Sequence, residues 1–167
     1  MSSSNGSGGE AIVPLAPDLW FGRLRTLAKR LKDDEAGLEE ALRHAYHLTQ
    51  MAPGPFNEIV ECKTAEEVFE GYLEAGAFDD AARALTSSAY FEFTIEVSDD
   101  HYLILVRSPI FDITTSMAGH QEGIALFRGW IEALLAIESA AREAGFSPTR
   151  QAPRRRRSGP RRQSMQH

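Results

Sequence analysis

Apolar residues recur at intervals of three and four along most of the chain and at intervals of two in one stretch past its middle, which predicts helices flanking a short β region. Trp20, Leu24, Leu27, Ala28 and Leu31 form the first helical stripe, after Asp18, a residue type favoured at helix N-caps. Its other face is basic: Arg23, Arg25, Lys29, Arg30 and Lys32. A second stripe of Leu38, Ala41, Leu42, Ala45 and Leu48 predicts a helix to about Met51. Ala52-Pro-Gly-Pro55 ends it, because proline lacks an amide donor and biases the preceding residue away from helix. After the short apolar step Ile59-Val60, Thr64-x-x-Glu67 reads as a capping box opening a helix with Val68, Phe69, Tyr72 and Leu73 inward. Gly76 closes that helix, and Phe78 to Leu85 gives one more. This alanine-spaced pair has no second copy in the chain, so a repeat array is not expected.

The period then changes. Phe91, Phe93, Ile95 and Val97 alternate with Glu92, Thr94 and Glu96, whereas Tyr102 to Val106 is continuously apolar, so a half-exposed strand should pair with a more buried one across Ser98-Asp99-Asp100-His101. Ser108-Pro109 ends the second strand, and Ile110 to Thr114 is the candidate for a third. A lone hairpin is marginal in water and must pack on helices or recruit strands, including from a second subunit. The longest helix should run from near Gly119 to Gly145, a C-cap glycine followed by Pro148. It has two adjoining apolar faces: Ile124, Phe127, Ile131, Leu134 and Leu135 on one, and Leu126, Trp130, Ala133 and Ile137 on the other. So wide a stripe fits either a central helix packed on more than one side or a helix whose Trp130 flank is a dimer or partner face.

These elements make a single α+β domain: N-terminal helices, a central antiparallel hairpin with a candidate third strand, and a long C-terminal helix. Its expected bounds are 15–148, with 1–14 and 149–167 expected to be disordered, since residues 1–10 and the C-terminal tail are too polar to offset their ordering entropy. A length of 167 residues with 43% hydrophobic content agrees with one domain and a sizeable core. The only cysteine, Cys62, excludes an intrachain disulfide and a Cys-rich metal framework. Residues 1–10 lack the basic start and apolar stretch of a secretory signal, and the longest aliphatic runs are far below membrane-spanning length. A cytoplasmic protein without a membrane role is expected.

Charge alters this picture more than composition does. The net charge of −6 conceals a division: residues 1–149 carry 24 acidic and 11 basic side chains, a balance of −13, while residues 150–167 carry seven arginines and no acid. Between Glu58 and Asp80 eight carboxylates face one lysine, Lys63. Arg150, Arg154, Arg155, Arg156, Arg157, Arg161 and Arg162 suit bidentate contact with phosphates or carboxylates. No aromatic is interleaved to stack bases. The tail then tethers the chain to a nucleic acid or other polyanion, meets an acidic protein surface including the chain's own body, or is only a solubilising end.

Candidate chemistry is sparse. Glu40, His44 and His47 share one helical face and are ligand types for a first-row metal, but that face should be solvated. Ser116, His120 and Glu122 flank the start of the long helix and form the weak candidate set for acid–base or nucleophilic work, though their spacing matches no known triad. Ser, Thr and Gly there should instead satisfy the free amides of the helix start. No phosphate-binding glycine motif is present, and no cofactor is expected. The leading expectation is a non-enzymatic interaction or regulatory protein tethered by its tail, with the Trp130 face as the candidate surface for a homodimer. A small-molecule sensor with a pocket between the hairpin, the Ser116–Gly123 junction and the long helix is the alternative, and a small enzyme using His120 and Glu122 the third.

Overall fold

A computed structural model describes residues 11–33 and 35–145. Helix α1 spans Pro17–Asp33, and a 3-10 turn at Glu35–Gly37 leads into α2, Leu38–Gln50. Trp20, Phe21, Leu24, Leu27 and Leu31 bury the inner side of α1. The Trp20 indole donates from Nε1 to the Leu48 carbonyl at 2.8 Å, satisfying an acceptor in the last turn of α2, where carbonyls run out of intrahelical partners. Leu15 joins the same core, and its amide donates to the Met51 carbonyl at 2.9 Å.

The Ile59-Val60 step is the end of a one-turn helix, α3 (Phe56–Ile59), and both residues are buried. The expected capping box is not made. Helix α4 spans Glu66–Glu74 with Ala65 at its N-cap and no side-chain cap, and the Thr64 carbonyl accepts from the Tyr46 hydroxyl at 2.8 Å. Phe69 and Leu73 are buried, but Val68, expected inside, is exposed. Gly76 takes φ 68°, the left-handed conformation that ends helices at little cost only for glycine, and α5 follows at Phe78–Thr86.

The sheet is an antiparallel meander of β1 (Glu92–Ser98), β2 (His101–Ser108) and β3 (Ile113–Gly119). The two-residue turn Asp99-Asp100 sets the β1–β2 register, pairing Ser98 with His101 and Phe93 with Val106. The third strand lies later than Ile110–Thr114. Asp112 adopts φ 51°, a conformation Asp tolerates better than most residues, so the expected strand is interrupted by a turn and pairing begins at Ile113.

Helix α6, Glu122–Glu143, packs against α1 and α5 as well as β2 and β3. This decides the wide apolar stripe. Leu126, Trp130, Ala133 and Ile137 are all buried in the chain's own core, which is the centrally packed helix of the two expected arrangements and leaves this flank off the surface. Gly129 marks the close approach to the sheet: a β-carbon there would lie 3.0 Å from Val106 Cγ2. The helix is also tied down by charge. Glu138, buried among the apolar residues, accepts from Arg25 of α1 and from Arg142 at 2.7 Å, and Arg142 reaches Asp18 at 3.1 Å.

The start of α6 is capped by a different element. Gln121 provides no side-chain cap; instead the Gly123 amide donates to Asp79 Oδ1 of α5 at 2.8 Å. A β-carbon at 123 would fall 2.5 Å from that oxygen and 3.0 Å from Asp79 Cα, so glycine is what admits the carboxylate. The Ser/Thr-rich junction contributes less to this helix start than its composition suggests.

Candidate functional site

The three residues of the weak catalytic set do not converge. Ser116 lies mid-strand on the outer face of β3, paired with Leu105, and extended chain carries His120 about 13 Å further along. The His120 ring meets the His101 ring with centroids 4.3 Å apart, and its Nδ1 is 3.1 Å from the Asp100 carbonyl. Glu122 is engaged by the Arg83 guanidinium, which also reaches Asp80 at 3.6 Å. Hydrogen bonding to Glu122 raises the Arg83 pKa further. The pair joins α5 to the start of α6.

Around the hairpin tip, Val97, Ser98, Asp99, Asp100, His101, Tyr102 and His120 line an open groove of about 510 Å³. It lies at the Ser116–Gly123 end of the sheet, where a sensing pocket was expected, but α6 does not line it. The interior there is filled by the Gly129 approach to Ile104, Val106 and Met117.

Glu40 is exposed, but His44 and His47 are half-buried, so this side of α2 is less solvated than expected, and the three do not form a cluster. Glu40 turns to Arg30 at 3.9 Å, and the His47 ring packs edge-on to Tyr46. Among the described residues, no three His, Cys, Asp or Glu side chains are arranged to hold a metal ion. His44 is held below its ordinary pKa of 6.5 by burial first, then by the charges of Arg23, Arg30 and His47. A depressed folded-state pKa means that His44 contributes stability above its unfolded value and that this is lost as pH falls through the folded one. The unfolding midpoint should therefore fall on acidification below about pH 6.5, before the carboxylates titrate, and less so in His44→Gln. Thermal unfolding of both proteins across that range checks this; equal slopes sink it.

The acidic segment is real surface, but parts of it are committed. Glu70 accepts a forked contact from Arg43, whose Nε and Nη2 lie 2.8–3.0 Å from its oxygens, and Arg43 also reaches Glu39 at 3.0 Å. The Arg43 hydrogen bonds hold Glu70 below the usual carboxylate range. Asp79 is spent on the α6 cap. Glu66, Glu67, Glu70 and Glu74 line an open groove of about 470 Å³ along α4 with Ala65 and Gly71. Cys62, on the approach to α4, donates from Sγ to the Ala84 carbonyl at 3.5 Å, and burial pushes its thiol pKa up, away from reactive-thiolate behaviour.

On the basic side of α1, Arg23, Lys29 and Arg30 are exposed, whereas Arg25 is drawn to Glu138. The seven tail arginines, Arg150, Arg154, Arg155, Arg156, Arg157, Arg161 and Arg162, lie outside the described residues. Among the described residues, no helix is long and apolar enough to cross a membrane.

The sheet holds surfaces that pattern reading missed. On its outer face Leu103 and Leu105 are 41% and 40% exposed, although their unbroken apolar run reads as a buried strand. The signal was in the neighbouring strand: Glu96 pairs with Leu103 and Thr94 with Leu105, so both leucines share the polar face of β1. On the inner face α6 covers β2 and β3, leaving Ile95 and Val97 of β1 39% and 69% exposed. Comparison with protein-family models, curated proteins and solved structures finds no match for this chain.

Proposed function

We propose that this is a non-enzymatic interaction protein: an acidic α+β body whose arginine-rich C-terminal segment tethers it to a polyanion or an acidic protein partner. The observation that carries this reading is the placement of charge. Glu58, Glu61, Glu66, Glu67, Glu74 and Asp80 stand on the exposed surface of the body, and the seven opposing arginines follow its last helix. The exposed leucines of the sheet add apolar contact area of the kind that partners cover. Of the candidates for chemistry, Glu122 supports the same reading, because its contact with Arg83 links α5 to the start of α6.

Guanidinium contacts to phosphates release counterions, so affinity for a nucleic-acid probe should fall with log salt at a slope of about −5 to −6 if six arginines engage a duplex. Removing residues 150–167 should leave the far-UV spectrum unchanged and abolish most duplex binding at low salt. Filter binding to duplex DNA across a salt series, with heparin and an acidic polypeptide as parallel probes, separates the partner classes. Equal binding of all three probes by the full and shortened chains removes the tether. The small-molecule alternative rests on the groove at the hairpin tip, where two imidazoles and Tyr102 meet. A ligand there would raise the unfolding midpoint by mass action in the full and shortened chains alike.

A further inference from the structure

We infer that the free edge of β1 is a self-association surface, with two copies pairing β1 against β1 in antiparallel fashion about a two-fold axis through Ile95. β1 is one outer strand of the sheet, so one row of its backbone donors and acceptors has no neighbouring strand among the described residues. The turn Asp99-Asp100 closes on Ser98 and His101, which turns the backbone groups of Ser98, Glu96, Thr94 and Glu92 toward β2. By alternation, those of Phe93, Ile95 and Val97 face outward. Two of the three, Ile95 and Val97, carry inner-face side chains that α6 leaves exposed, and Phe93 is half-buried beside them, so the outward amides and the exposed apolar groups belong to one strip.

The usual protections of an edge are missing from it. β1 contains no lysine or proline, and its one-to-one register with β2 leaves no bulge over seven residues. Its charged residues, Glu92 and Glu96, project from the opposite face and do not obstruct the apolar strip.

The occupant follows from register. Face-preserving antiparallel pairing centred on Ile95 sets Phe93 opposite the partner's Val97 and Ile95 opposite the partner's Ile95, merging two exposed strips into one. It also sets Glu92 opposite the partner's Ser98 and Glu96 opposite the partner's Thr94, so no carboxylate directly faces another. Moving the centre to Thr94 opposes Glu92 to the partner's Glu96, and moving it to Glu96 opposes two copies of Glu96, both unfavourable. Glu92 is further offset by Arg107 of its own chain at 3.9 Å. The strand thus matches its own copy in one register that uses its full length. The strip is roughly 24 Å long and one strand wide, so the dimer should dissociate on dilution.

Sedimentation of the full chain over a concentration series, at low salt and at about 0.5 M NaCl, tests the inference and separates it from tail-driven association. The expected result is a monomer–dimer equilibrium that persists at high salt, where contacts of the arginine segment with acidic groups are screened. Ile95→Lys should weaken it by at least about tenfold, and Glu96→Gln should strengthen it several-fold by removing diagonal repulsion. Covalent capture covers the case in which Ile95→Lys fails to fold. Opposed residues with backbone groups facing each other lie about 5.5 Å apart at Cα, within disulfide reach, so Ile95→Cys in a Cys62→Ser background should oxidise to a dimer. Ala118→Cys, on the far strand, should not. A monomer at every concentration, association abolished at high salt, or equal capture at 95 and 118 overturns the inference.

Discussion

A Gly129→Val variant should lose about 3 kcal/mol of stability, because position 129 is where α6 comes down onto the sheet. A β-carbon alone would stand 3.0 Å from Val106 Cγ2 and 3.7 Å from Ile104 Cγ2 and Met117 Cβ. Val106 and Ile104 are fully buried and β-branched, so neither can swing aside. Two further methyl groups must lift the helix from β2 and β3, and overpacking of this kind costs typically 1–3 kcal/mol or more. Gly71→Ala is the matched control. Gly71 is helical and exposed, with nothing within 4 Å of an added β-carbon, so alanine there should gain up to about 1 kcal/mol of helix propensity. Chemical denaturation of both variants reads the contrast. If the two substitutions shift the midpoint in the same direction by similar amounts, the close approach at 129 is not what the packing implies.

Trp20→Ala should be the most damaging single truncation on the N-terminal side, at about 3–5 kcal/mol. Trp20 is fully buried, meets the Phe21 ring edge-on with centroids 4.9 Å apart, and stacks on Phe56 at 5.9 Å. Its indole also satisfies the Leu48 carbonyl, joining α1 to the end of α2. Trp20→Phe keeps most of the ring contact and drops that hydrogen bond, leaving the Leu48 carbonyl only the longer contact from the Met51 amide at 3.2 Å. It should cost about 1–2 kcal/mol. Equal losses for the two variants would mean that the hydrogen bond outweighs the cavity.

Much of the architecture was legible because helical periodicity is a local property. The stripes of α1 and α2 match the buried residues almost position for position, and Phe21 joined the core as an addition to the first stripe. The β1–β2 hairpin was legible for a related reason: alternation and a polar two-residue turn are encoded within a few residues. β3 was placed too early because its sequence, ITTSMAG, carries a weak apolar alternation, and because the left-handed turn at Asp112 depends on one backbone torsion. The capping box failed because Ala65, and not Thr64, occupies the N-cap, while the carbonyl of Thr64 serves Tyr46.

The candidate site was legible only as chemistry in the chain, not as proximity. His120 was identified from its position at the helix start, but the ring beside it is that of His101, from the start of β2. Glu122 was noted as a possible reacting group, and its partner Arg83 comes from 39 residues earlier. Asp79 looked like one more acid in an acidic run until α5 brought it to the Gly123 amide.

By itself, the sequence determined the α+β class, the order of helices and hairpin, and the opposition between an acidic body and seven C-terminal arginines, since each follows from composition or from repeats a few residues long. Tertiary structure alone decided that the Trp130 flank is core, that Asp79 caps a helix it does not belong to, and that Ile95 and Val97 stay uncovered. A helix with apolar residues around much of its circumference can be covered by its own chain or by another, and periodicity does not distinguish the two. Only the packing of α6 against α1, α5, β2 and β3 used up the Trp130 side and left the far edge of the sheet beyond its reach.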